Sequence, residues 1–458
     1  MHELNYWCEL AWLPPGEVVA GVLVKVEDSM IAEVVPGVAN PPGGTVRLAG
    51  LTIPGLANAH SHAFHRALRG VTQREKGSFW TWREQMYGVA GTLDPDSYLR
   101  LARAVFAEMA LAGITCVGEF HYLHHAAGGV PYDDPNAMGH ALVQAAREAG
   151  LRIALLDTCY LTGGIGTPLS GVQLRFGDGD ADRWAARAAG LYSHYRGERD
   201  VEIGVAVHSV RAVPAEQMRV VGEFSRHHAV PLHVHVSEQR AENTAAVEMY
   251  AASPVQVLAE HDVLGPRSTA VHATHLSDVD VALLGASRTH VCMCPTTERD
   301  LADGIGPARA LFEAGSPITL GSDSQAVIDL FEEARAVELD ERLATERRGH
   351  WSAAELLDAA TTAGHASLGF PDAGMLVPGA WADLVSVRLD SVRTAGTSPA
   401  HVAENVVFAA TAADVHSVVS SGRQVVTDGR HVLGDVGAML AGAIAEARGE
   451  KRHGGGEA

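Results

Sequence analysis

A chain of 458 residues, 47% of them hydrophobic, is long enough for one large core and a second, smaller unit. Its 55 acidic against 35 basic residues leave a formal net charge of −20, which argues against nucleic acid or an anionic membrane as partner. Five cysteines (Cys8, Cys116, Cys159, Cys292 and Cys294) lie at scattered spacings with no CxxC pair, so neither a disulfide framework nor a cysteine zinc site is expected.

At the amino terminus, MHELNYWCELAWLPPG has neither the basic region nor the long apolar core of a signal peptide. No apolar run elsewhere reaches transmembrane length, so a reducing cytoplasm is the expected location. Residues 1–48 read as short strands, Val18–Val26 and Met30–Val35, followed by a Pro/Gly loop at Asn40–Gly44. Apolar runs rich in Val, Ile and Leu then recur at Val46–Ile53, Ile114–Phe120, Arg152–Leu156, Val201–Val207, Leu232–Val236, Thr269–His272, His290–Cys294 and Ile318–Leu320. Helical patterns lie between most of them, at Ser97–Ala112, Ala137–Gly150, Ala181–Arg196, Pro214–His228 and Gly306–Gly315. Such alternation predicts an α/β fold, a (β/α)8 TIM-type barrel over residues 49–375, in preference to a doubly wound sheet. Two more helices, Leu330–Arg348 and Ala353–Leu368, complete it. Strand–turn–strand patterns return at 378–389 and 415–433, so residues 376–434 are expected to join 1–48 in one small β-sandwich-like domain built from both chain termini. The segment 435–458 holds a last helix, Ala438–Ala447, and a polar, Gly-rich tail, Arg448–Ala458, expected to be disordered.

Chemistry in such barrels sits where strands end. The first strand ends in His60 and His62, which share a face because residues two apart on a strand point the same way. The second ends in Glu119-Phe120-His121-Tyr122 and the fourth in His208-Ser209-Val210-Arg211. The fifth carries His233, His235 and Glu238, the sixth His272 and His275, and the eighth Asp323 between two serines. Buried ionisable groups are costly unless paired or bound to metal, so the set points to a metal centre.

His60-x-His62, then His235 with Glu238 three residues on, then His272, then Asp323 in a GSDS turn, resembles the amidohydrolase superfamily over nearly the whole chain. The resemblance implies that His60, His62, His235 and Asp323 hold one zinc ion (Zn2+) per subunit, as in its mononuclear deaminases. Three imidazoles and a carboxylate suit zinc chemically and leave a position for water; Fe2+ accepts the same donors. His233 projects to the same face as His235 but one layer deeper, and is assigned to the core or to support of the site; His275 is assigned to the loop. Two-metal relatives need a bridging lysine on the fourth strand, and VEIGVAVHSV has none; Lys25, Lys76 and Lys451 are the chain's only lysines. The expected catalytic roles are proton acceptance from water by Asp323, polarisation of the attacked centre or steadying of the hydroxide by His272, and proton delivery to the leaving nitrogen by Glu238.

The stretch SFWTWREQMY, in the long loop after the first strand, interleaves aromatics around Arg83 and reads as an ordered lid. HSVRAV adds Arg211. Guanidinium groups grip carboxylates through paired hydrogen bonds, so two arginines and Tyr122 around one metal fit a small anionic, aliphatic substrate better than a neutral base. Together HSHAFHRALRG, SFWTWRE and HSVRAV resemble the family of formimidoylglutamate deiminases of histidine degradation. That resemblance implies hydrolysis of N-formimino-L-glutamate to N-formyl-L-glutamate and ammonia by a homodimer. It makes His65, Arg83, Tyr122, His208 and Arg211 substrate contacts, with Arg211 on a carboxylate; His65 stands where some members carry Gln. The alternative is a mononuclear-zinc deaminase of a purine-type ring, such as guanine or an adenosine derivative. A non-catalytic binding protein on a decayed barrel is disfavoured by the intact ligand set and Glu238.

Overall fold

Runs of β-branched and apolar residues form two sheets in the computed structural model, which describes residues 4–73 and 79–450. In chain order the strands are β1 (Asn5–Leu13), β2 (Glu17–Glu27), β3 (Met30–Val35), β4 (Val46–Pro54), β5 (Leu56–Ser61), β6 (Ile114–His121), β7 (Arg152–Cys159) and β8 (Val201–Val207). They continue as β9 (Leu232–Val236), β10 (Ser268–His272), β11 (His290–Met293), β12 (Ile318–Leu320), β13 (Leu384–Val387), β14 (Val415–Ser420), β15 (Arg423–Thr427) and β16 (Arg430–His431). Strands β5 to β12 lie side by side in that order, all parallel, as the staves of the (β/α)8 barrel. Most are buried along their whole length between the barrel interior and the outer helices, which is why they read as unbroken apolar runs.

The remaining strands form one sheet in the order β16-β15-β14-β13-β4-β1-β2-β3, built from both ends of the chain. Its inner face closes on a core that includes Tyr6, Val22, Val24, Leu48, Leu384 and Val419. The run Val46–Ile53, expected as the first barrel strand, belongs here instead: it is β4, parallel to β1 and antiparallel to β13. The barrel begins one strand later, after Pro54-Gly55, so the boundary expected at 48/49 moves to Gly55. Glycine is required at that step, because a Cβ there would lie 2.2 Å from Thr115 Oγ1 and 2.7 Å from Asp383 Cβ. Strand β1, which the hydrophobic pattern did not announce, pairs along its length with β2.

A 3-10 helix (Ala63–Leu68) and, among the described residues, two α-helices follow β5. Residues expected to form a lid loop are instead the helix α1 (Phe79–Thr92); Ser78 lies outside the described residues. The next, α2 (Pro95–Leu111), starts at an Asp94–Ser97 capping box with Pro95 in its first turn. The last helix, Val436–Ala447, packs on α2. The tail expected to be disordered from Arg448 is anchored at its start, where Arg448 Nε donates to Ala67 O at 2.8 Å; residues 451–458 lie outside the described residues. No helix among the described residues is long and apolar enough to cross a membrane.

A buried ion pair joins the two units. Arg152, at the start of β7, donates to Asp383 just before β13 (Nη1–Oδ1 3.0 Å), both side chains are 1% exposed, and the Trp381 ring lies 4.5 Å from the guanidinium. Removing one partner strands the other charge in the interior. Asp383→Ala is therefore expected to lower unfolding free energy by about 3–5 kcal/mol in urea titration, and the double substitution Arg152→Met, Asp383→Leu to cost clearly less.

Candidate metal centre and active-site cavity

The seam that closes the barrel lies between β5 and the end of β12. Asp323 N donates to His60 O at 3.0 Å, and His62 N donates to Asp323 O at 3.1 Å. The strands come this close because residue 321 is glycine: a Cβ there would sit 2.7 Å from His60 Cβ. Side chains lock the same seam. Asn58 donates to Ser322 Oγ (2.7 Å) and accepts from Ser322 N (2.9 Å), while Gln325 donates to Ser61 Oγ (2.8 Å). Ser61 in turn donates to Glu119 Oε2 (2.6 Å), whose other oxygen accepts from Ala63 N (2.7 Å).

This backbone delivers His60, His62 and Asp323 to one point, where His235 from β9 joins them; the four donor atoms all lie within 4.8 Å of one another. His60 Nε2 is 3.2 Å from Asp323 Oδ1 and 3.0 Å from His235 Nε2, and His62 Nε2 is 3.3 Å from Asp323 Oδ1. Donors about 2.0–2.1 Å from a tetrahedral zinc are about 3.3–3.4 Å apart, so the set has the right span. The ring tautomers fit as well. His62 Nδ1–H donates to Phe120 O (3.0 Å) and His235 Nδ1–H to His208 O (2.9 Å), which turns both Nε2 lone pairs toward the centre. Among the described residues this is the one group of donors spaced for an ion.

Beside it stands a chain of charged groups. His272 ends β10 with φ +69°, and Asp323 has φ +43°; both are left-handed conformations costly for these residues and common at functional sites. His272 Nε2 is 3.9 Å from Asp323 Oδ2 and 4.0 Å from Glu238 Oε1, and its Nδ1 faces Glu298 Oε1 at 3.5 Å. Arg211 Nη2 donates to Glu238 Oε2 (3.0 Å), and its Nε lies 3.3 Å from Glu242 Oε2.

A cavity of about 460 Å³ opens over these groups. All five expected substrate contacts, His65, Arg83, Tyr122, His208 and Arg211, line it. His65 Nε2 lies 3.1 Å from Tyr122 OH, with the Trp82 ring 5.1 Å from the His65 ring. Arg83 enters from the helix α1 and sits 5.8 Å over the Tyr87 ring. His233 does not reach the cavity; it is fully buried, with Nε2 donating to Ser367 O at 3.1 Å. His275 stays outside too, its backbone N–H on Ser237 O. Sequence reasoning missed Tyr160, Glu242 and Glu298. Tyr160 follows the end of β7 and was findable by the same strand-end rule; Glu242 lies four residues after Glu238, in the first turn of the helix that follows it. Nothing local marks Glu298.

The model of the amidohydrolase family matches residues 51–425. The chain belongs to the amidohydrolase family. A formimidoylglutamate deiminase of Pseudomonas aeruginosa is 34% identical over 418 residues, spanning 88% of this chain and 90% of its own. A 5'-deoxyadenosine deaminase of Methanoregula boonei is 31% identical, spanning 87% of this chain and 84% of its own. The crystal structure of an amidohydrolase from Brucella melitensis superposes with a TM-score of 0.89 at 31% identity, covering 98% of this chain and 100% of that one.

Electrostatics in this amidohydrolase separates neutral imidazoles from charged groups. Burial, reinforced by neighbouring imidazoles, holds His62 and His235 well below the usual histidine range, so both are neutral donors. Burial opposes ionisation of Asp323, but the hydrogen bond and charge of His60, with His272 and His62, keep its carboxyl far below the usual range. Burial also opposes charge on His272, yet Glu238, Glu298 and Asp323 raise it to about 10. Burial pushes Glu119 up to about 8. His235→Ala is expected to lower bound divalent metal at least about tenfold by elemental analysis, whereas His233→Gln keeps it.

Proposed function

We propose that this amidohydrolase is a mononuclear metal-dependent deaminase that hydrolyses N-formimino-L-glutamate to N-formyl-L-glutamate and ammonia. One observation carries the proposal: two arginines, Arg83 and Arg211, line the same cavity as the three-histidine, one-aspartate cluster. A purine offers no carboxylate for either guanidinium, whereas N-formimino-L-glutamate has two. The likeness to a formimidoylglutamate deiminase at 34% identity supports the same substrate. The proposal implies a role in histidine degradation, a cytoplasmic location and a homodimer.

His60, His62, His235 and Asp323 would hold one Zn2+, or Fe2+, which suits the same donors. Such an ion, when bound, lowers the pKa of a coordinated water toward neutrality and makes it a nucleophile. Asp323 takes the proton released as the water oxygen bonds to the formimino carbon and the C=N electron pair retreats to nitrogen. His272, on the far side of the Asp323 carboxylate, donates a hydrogen bond that steadies the attacking oxygen. Glu238 carries to the departing nitrogen first the proton taken up by Asp323 and then the one the new hydroxyl loses as it becomes the carbonyl. The carbon–nitrogen bond breaks, ammonia leaves, and the oxygen remains as the formyl carbonyl. His65, Tyr122 and His208 line the wall that orients the substrate.

Ammonia release from N-formimino-L-glutamate, guanine and adenosine, measured with metal content on the same sample, tests the assignment. Turnover of the first alone is expected, and a metal-loaded protein that ignores it overturns the proposal. Glu238→Gln is expected to keep the metal and lose about 10²–10⁴-fold in kcat.

A further inference from the structure

Arg211 meets two carboxylates that are not equivalent. Glu242 is fixed: its side chain is 0% exposed, Oε1 accepts from Ser237 N at 3.0 Å, and it is carried by the helix Arg240–Tyr250. Glu238 lies on the cavity wall, and its oxygen not engaged by Arg211 is 4.0 Å from His272 Nε2, beyond hydrogen-bond length. One guanidinium therefore already serves two anions in a largely buried setting. A third, brought by the substrate, would crowd three carboxylates onto one guanidinium, while the His272 imidazole, 4.0 Å from Glu238, offers that carboxylate another partner. One carboxylate has to let go, and only Glu238 has the freedom to do so.

We propose that Arg211 is an exchange point: a substrate carboxylate displaces Glu238 from the guanidinium, and Glu238 swings toward His272 and the reacting nitrogen. Glu242 is the positioning residue that makes the exchange obligatory, because it occupies the other side of Arg211 and cannot leave. Anion recognition is thereby coupled to the proton-carrying step, and a substrate lacking the carboxylate leaves Glu238 held where it cannot act. This inference rests on the proposed formimino-glutamate chemistry. No bond is made or broken in the exchange; one ion pair replaces another.

The test divides the substrate into two pieces. N-propylformamidine keeps the reacting group without a carboxylate, and propionate supplies the carboxylate separately. With the wild-type, metal-loaded protein, propionate is expected to raise kcat on N-propylformamidine saturably, by at least about fivefold, while equal ionic strength of chloride does not. Inhibition by propionate, the absence of stimulation whatever the basal rate, or equal stimulation by chloride overturns the exchange. A second measurement uses Glu242→Gln, which removes one anion from Arg211 without removing bulk. Substrate and Glu238 can then share the guanidinium, so kcat on N-formimino-L-glutamate is expected to fall about tenfold with KM unchanged or lower and metal retained. A raised KM, or an unchanged kcat, contradicts the proposal. If N-formimino-L-glutamate is turned over but propionate does not activate, the exchange alone fails. If that substrate is not turned over at all, the assignment of function fails and takes the exchange with it.

Discussion

Closure of the barrel and assembly of the candidate metal centre are one event. The hydrogen bonds that zip the last barrel strand onto the first are made by the backbones of His60, His62 and Asp323, the residues whose side chains supply three of the four donors. A sheet cannot shift its register without reversing which face every side chain points to, so the ladder that completes the fold also fixes the ligand directions. Gly321 permits the close approach, and the Asn58–Ser322 and Gln325–Ser61–Glu119 contacts hold it from either side. His272 and Asp323 pay for their placement with left-handed backbone that only such a framework sustains.

Around this rigid seam the charged groups fall into two populations. The imidazoles of His62 and His235 are buried, neutral and tied by Nδ1 to backbone carbonyls, as ligands must be. Glu242, Arg211, Glu238 and His272 form a line of alternating sign along the cavity wall, with Glu298 behind His272. The two populations meet at one point, where His272 Nε2 lies 3.9 Å from Asp323 Oδ2. Holding the two apart elsewhere lets one small cavity combine a fixed scaffold with mobile charge.

Much of this was legible in the sequence because the barrel repeats one simple pattern. Seven of its strands appear as apolar runs, and polar residues stand out at their ends because an apolar strand has no other reason to finish in His272 or Asp323. The division between β4 and β5 was not legible. Only Gly55 separates them, so periodicity could not reveal that they belong to different sheets. The helix α1 was hidden because its aromatic-rich sequence has weak amphipathic character. Glu242 escaped because a buried acid at the start of a helix looks, in sequence, like any solvated one favoring the helix dipole. Glu298 comes close to His272 only through tertiary packing, which no local signal encodes.

The terminal sheet has a consequence for how the molecule is made. β4 must pair with both β1 and β13, and nearly the entire barrel lies between them in the chain. Strand β4 therefore waits, with one edge unmatched, until β13, beyond the barrel in the chain, has been synthesised. The final helix follows the same schedule, since Arg448 secures the backbone of Ala67 beside the earliest ligand strand. Contacts so distant in sequence make for slow maturation and a long interval of exposed strand edge, an interval in which protection by a chaperone has most to offer.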